Sequence, residues 1–225
     1  MVTTWTKNMD LNIAAQLRQY FNPEKNTTDS FVTISREFGC DGKNLANAIV
    51  AQMNENLQGK PWFLLSREML LDASEQLTEE TLSKLEDFGH SDLQSYIREA
   101  IFGMGSQTET IRQMAKIIRL FASRGRVVIL GGGGSIMTHD MKQGIHVRYY
   151  ASQPWRIANH AKRWDLDEKE AHKRVVHRHG EREAYVKTYL GKDIGDREFY
   201  HLTINNEKVK PEGAANLVVQ LIKNM

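Results

Sequence analysis

Gly39, Gly42 and Lys43 lie in the segment FVTISREFGCDGKNLA, residues 31–46, with the types and spacing of a backbone that holds phosphate. Glycines let the chain approach an anion closely, and a lysine adds a compact point charge. N–H groups at the start of a helix lack partners within it, and the helix dipole favours negative charge there. The candidate phosphate-binding set is Ser35, Gly39, Cys40, Asp41, Gly42, Lys43 and Asn44. The pattern G-x-x-x-x-G-K-[ST] is met only in part. Glu37 stands where its first glycine belongs, and Asn44 stands where a hydroxyl would meet magnesium. On spacing alone the segment also suits an ordinary strand–turn–helix connection.

Two further groups carry chemistry. Arg178 and Arg182 are four residues apart, so a helix presents them on one face, where guanidinium groups chelate phosphoryl oxygens and offset transition-state charge. Mixed charge over 156–187 equally describes a solvated helix face. Gly131–Gly134 follow the apolar run VVIL, and ligands of open α/β sheets bind beyond the carboxyl ends of strands. A tight turn under a packed helix accounts for the same glycines, and Ile136 breaks a dinucleotide fingerprint. Of His160, His172, His177 and His179, the last three face different ways on a helix, which argues against zinc. Cys40 reads as a small loop residue rather than a nucleophile.

These groups need elements to hold them. Apolar runs over 31–34, 62–65, 127–130, 146–150 and 202–204 read as short strands. Helical patterns cover 43–57, 67–74, 78–87, 92–102, 107–123, 154–164, 167–189 and 211–223. Strands alternating with helices predict an α/β fold with a parallel sheet covered on both faces. Residues 66–106 and 152–200 exceed what crossovers need and are expected to form lobes over a ligand. Residues 1–28 form an arm: an amphipathic helix over 10–22, then a polar linker, packing on the domain or on a second copy as a homodimer. The domain proper is expected over 29–225.

Composition narrows the classes. The 225 residues support one core with inserted subdomains, and 40% apolar with 26% charged residues is ordinary for a globular chain. A net charge of +2 gives no broad attraction to nucleic acid or anionic membrane, and no aromatic platform accompanies the basic segment. A single cysteine excludes an internal disulfide and fits a reducing compartment. No apolar run reaches the length of about 18 residues needed to span a bilayer, and the N-terminus lacks an apolar signal core, so the expected location is cytoplasmic.

Taken together the motifs resemble the cytidylate kinase-like family, a branch of the nucleoside monophosphate kinases. VTISREFGCDGKNLA is similar to that family's ISREFGSGG segment; HVRYYASQPWRI (146–157), the stretch 181–191 and FYHLTINNEKVKPEGAANLV (199–218) match its fourth strand, lid exit and closing strand. The resemblance implies a P-loop NTPase-like three-layer fold, with a five-stranded parallel sheet, a helical insert for the acceptor over 66–106 and a lid over 152–200. It implies transfer of the γ-phosphoryl of ATP with Mg2+ to a nucleoside monophosphate, most naturally CMP or dCMP. Under it Lys43, Arg178 and Arg182 act in catalysis, and Arg67, Gly131, Gly133 and Arg148 lie on the acceptor side. Departures concentrate there: Ser66-Arg67-Glu68, Gly131-Gly132-Gly133, His179-Gly180-Glu181-Arg182 and Tyr200-His201 replace family residues. The alternative is a nucleotide- or phosphate-binding protein of the same fold that has lost transfer and acts by interaction.

Overall fold

Alternation along β1 (Phe31–Arg36) sends Phe31 and Val32 into opposite layers of the molecule. β3 (Val127–Leu130) repeats the pattern, with Val127 and Ile129 on one side and Val128 and Leu130 on the other. A strand buried on both faces must be apolar at successive positions, and these are. The computed structural model describes residues 29–55, 61–66, 69–70 and 106–225.

The remaining strands are β2 (Phe63–Ser66), β4 (Gly144–Tyr150) and β5 (Leu202–Asn205). All pairings are parallel, in the order β2-β3-β1-β4-β5. The chain fills one side of β1 and then crosses to the other, so the order reverses beside β1. That switch point opens a crevice at the strands' carboxyl ends.

On one face α1 (Gly42–Asn54) and α6 (Pro211–Lys223) bury Leu45, Ile49 and Val218 against Val32 and Val147. On the other, α2 (Ser106–Arg124) and the short α3 (Gly134–Met137) bring Ile117, Phe121 and Ile136 against Phe31 and Ile129. α4 (Gln153–Trp164) and α5 (Glu168–Leu190) pack through Ile157, Ala171 and Val175. Asp167 caps α5 by accepting from the Glu170 amide at 2.8 Å, and Gly191 (φ 63°) closes it in the left-handed conformation. Among the described residues no helix is long and apolar enough to cross a membrane.

Among the described residues the expected strands and helices are present, most with shifted ends. β1 runs two residues past the expected end at Ile34 because Ser35 and Arg36 continue the ladder opposite Arg148 and Tyr149. α3 and a 3-10 turn over Arg197–Phe199 are additions that no sequence pattern announced. The helices expected over 10–22, 78–87 and 92–102, most of the one over 67–74, and the homodimer contact assigned to the arm lie outside the described residues.

Candidate functional site

The loop between β1 and α1 is built around a carboxylate. Glu37 Oε2 accepts from the Ala151 amide at 3.2 Å and faces Arg156 Nε at 3.2 Å, while Oε1 lies 3.6 Å from Arg148 Nη2. Arg148 also donates to Ser35 Oγ at 2.9 Å, its opposite number in the ladder. Loop carbonyls are held from the same side: Arg156 donates to Phe38 O, Asn159 to Gly39 O and Arg182 to Arg36 O. Gly39 is required here. Its φ is +98°, and an added Cβ would sit 2.7 Å from both Cβ and O of Arg156.

The amides divide into two groups. Cys40 N–H donates to Glu37 O at 3.2 Å and Asp41 N–H to Asn206 Oδ1 at 2.7 Å, so both are engaged within the protein. Those of Gly39, Gly42, Lys43 and Asn44 have no hydrogen-bond partner among the described residues. Asp41 occupies the N-cap position of α1, yet its side chain makes no cap hydrogen bond. The carboxylate turns instead to Arg163 and to Asn159 Nδ2. α1 therefore starts with its N–H groups uncapped and no acidic residue in its first turn, the arrangement that receives an anion.

A cavity of about 920 Å³ opens at the carboxyl ends of β1, β2 and β3. Its charged lining is almost wholly cationic: Lys43, Arg36, Arg163, Arg174, Arg178 and Arg182 face Glu181 as the acid among the described residues. Glu181 is paired with Arg178 at 3.0 Å on the exposed face of α5. Lys43 is exposed and makes no ion pair among the described residues.

Arg36 explains the glycine run. Its side chain leaves the end of β1 and crosses the crevice. A Cβ at Gly42 would lie 2.8 Å from Arg36 Cγ, and one at Gly131 would lie 2.1 Å from Arg36 Nη1. Gly131 also holds φ +82°, and a Cβ at Gly133 would meet Leu190 Cδ1 at 2.5 Å. The group approaching the backbone at Gly131 is thus the protein's own guanidinium, and at Gly133 its own leucine.

Burial, with the Glu37 carboxylate alongside, pushes the Cys40 thiol up to about 12, so it remains a protonated, unreactive wall residue. Burial and the nearby Arg174 charge hold His160 below the usual imidazole range.

Ser35, Gly39, Cys40, Lys43, Gly131, Gly133, Arg178 and Arg182 all border the cavity, although residues 35 and 182 are separated by most of the domain. Asp41, Gly42, Asn44 and Arg148 do not line it. Arg148 lies buried behind the loop, where it supports Ser35 and Glu37. Arg67 lies outside the described residues. Sequence reasoning missed Arg36, Arg163 and Trp164 as lining and Asn206 as the partner of the loop. Arg36 carried a signal, a basic residue at a strand end beside a glycine loop. Asn206 carried none, being far along the chain.

Among known proteins, the sequence model of the cytidylate kinase-like family matches residues 31–208. An uncharacterized protein from Eubacterium ventriosum has a crystal structure similar to this one, with a TM-score of 0.69 at 19% identity over 88% of this chain and 99% of that one. Shikimate kinase from Acinetobacter baumannii in complex with shikimate gives 0.44 at 12% identity, over 88% and 94%. Dephospho-CoA kinase from Campylobacter jejuni gives 0.37 at 12% identity, over 87% and 98%. No curated protein matches the sequence.

Proposed function

The chain belongs to the cytidylate kinase-like family, and from that premise we propose that it transfers the γ-phosphoryl group of ATP to a nucleoside monophosphate, CMP or dCMP. One observation carries the reading. The uncapped start of α1 offers the amides of Gly42, Lys43 and Asn44 beside a cation-lined cavity at the switch point of the sheet. A triphosphate fits such a place: unpartnered N–H donors, a helix dipole and unneutralised ammonium charge all favour it.

In this reading Gly39, Gly42, Lys43 and Asn44 hold the donor phosphates. The bond between the β–γ bridging oxygen and the γ-phosphorus breaks as an acceptor phosphate oxygen bonds to that phosphorus, and ADP departs. The protein's part is positioning and charge. Arg178 is exposed and tied by a surface pair to Glu181, a contact worth about 0–1 kcal/mol, so it exchanges readily for a phosphoryl oxygen. Arg182 reaches the loop at the Arg36 carbonyl and lines the same cavity as Lys43.

Magnesium takes one or two carboxylates with phosphate oxygens and water, and here Asn44 stands where a hydroxyl would meet it. Among the described residues no group of three or more His, Cys, Asp or Glu converges. Glu37 and Asp41 are held by arginines. The departures at Ser66-Arg67-Glu68, His179-Gly180-Glu181-Arg182 and Tyr200-His201 favour a second reading, in which nucleotide binds without transfer.

ADP release measured with ATP-Mg against CMP, dCMP, UMP, AMP and GMP, with Lys43→Ala as control, separates the two. Steady ADP formation that needs CMP or dCMP and Lys43 supports transfer. ATP binding with no turnover for any monophosphate supports the second reading, and no ATP binding at all removes both.

A further inference from the structure

α4 ends in an exposed tryptophan that the core does not explain. Trp164 is 62% exposed, yet it borders the cationic cavity rather than a bare outer face. It closes a row of rings. His160, one turn earlier on α4, lies 6.4 Å from Trp164 between ring centroids, and Phe38 from the phosphate-binding loop meets His160 edge-on at 5.0 Å. All three residues line the cavity. His160 is 6% exposed, and its Nε2 is buried with no hydrogen-bond partner, a polar atom on this wall that the protein leaves unanswered.

The row is fixed beside the phosphate end. Arg163, the residue before Trp164, pairs with Asp41 at the start of α1. That contact sets the end of α4 against the amides offered to phosphate. Arg174 also lines the cavity and lies close enough to His160 to disfavour its protonation. An aromatic face flanked by guanidinium groups is what a nucleobase stacks on, because every base has a π-face and the neighbouring cations accept the attached phosphates.

We propose that the Phe38–His160–Trp164 wall is the base-stacking subsite for the nucleotide whose phosphates lie at the start of α1, with Trp164 as the platform. The inference rests on the donor-binding reading above and adds the residue that would distinguish a nucleotide from a bare polyphosphate.

The test compares ATP with inorganic tripolyphosphate, by titration calorimetry on the full chain, in the wild type, Trp164→Ala and Trp164→Tyr. Trp164→Ala is expected to weaken ATP by roughly 5- to 100-fold and leave tripolyphosphate within about twofold, while Trp164→Tyr recovers most of the loss. Thermal melts check that both variants stay folded, as an exposed position predicts. Equal weakening of ATP and tripolyphosphate, or unchanged ATP affinity in Trp164→Ala, overturns the subsite and leaves the donor site standing. A wild type that binds neither compound overturns the donor site and the subsite together.

Discussion

Arg156 Nε lies 3.2 Å from Glu37 Oε2, an oxygen that also accepts the Ala151 amide, so one carboxylate ties the glycine loop to the start of α4. Removing one member of a buried ion pair costs about 3–5 kcal/mol because the other charge is stranded. Glu37→Ala is expected to lose about 3 kcal/mol in urea unfolding, near the low end of that range because Glu37 retains some exposure, with Glu37→Gln losing less. A loss typical of an exposed pair, under about 1 kcal/mol, would show that the loop has another anchor.

Lys43→Ala removes an exposed cation with no ion pair among the described residues, so stability should hardly change. Nucleotide affinity should fall by the worth of one charge-assisted contact, about 1.5–3 kcal/mol or roughly 10- to 150-fold. The thermal melt and an ATP titration on the same sample check both halves. Undiminished ATP affinity would take Lys43 out of the site.

Gly131→Ala should be destabilising for two separable reasons. A left-handed φ of +82° costs a non-glycine residue about 1–2 kcal/mol, and the new Cβ displaces the Arg36 guanidinium. Arg36→Ala removes the displacement and leaves the backbone cost. In a double-mutant cycle the pair should couple by at least about 0.5 kcal/mol, with Arg36→Ala milder in the Gly131→Ala background. Strict additivity would mean that the two residues do not meet.

His146 gives the fold a pH dependence. Burial, with the charges of His201 and His139 next, lowers it to about 4, while Thr33 Oγ1 lies 2.9 Å from its Nδ1. The unfolded chain takes up a proton near the ordinary value of 6.5 that the folded protein refuses until about 4. The unfolded state therefore binds more protons in that window, and stability falls as pH drops through it. Urea midpoints measured from pH 7 down to 4 should decline, and His146→Gln should flatten the decline. An equal slope in the variant would place the dependence elsewhere.

Cys40 should resist thiol reagents in the folded protein. It is 7% exposed with its thiol raised to about 12, whereas the unfolded chain ionises near 9. Labelling at pH 8 is expected to be slow in buffer and fast in denaturant, because only the thiolate reacts. The same shift makes stability fall above pH 9, where the unfolded state loses its proton first. Rapid labelling without denaturant would contradict the burial.

Much of this architecture is legible along the chain. VVIL at 127–130 is a strand with the predicted ends, and the helix over 211–223 begins at Pro211 as read. Both signals are local: side-chain alternation and a proline fixing the first turn report on a few neighbouring residues. The glycine loop, Lys43 and the spacing of Arg178 and Arg182 were visible for the same reason. The end of β1 was misplaced because its extension depends on Arg148 and Tyr149 across the ladder, which the segment does not contain.

Local order in the residues thus specified the strands, most helices among the described residues to within about a residue at their ends, the family and the glycine loop. Folding in three dimensions assigned the contacts that make a site of them. Asn206 takes the amide of Asp41 from 165 residues away, Arg163 draws the Asp41 carboxylate off the helix start, and Arg36 lies between Gly42 and Gly131. Periodicity tells which face of an element is apolar, but not which distant side chain will reach a given backbone. That pairing follows from packing the whole sheet and its helices at once, so the amides left for a ligand could be counted only after every internal partner had been placed.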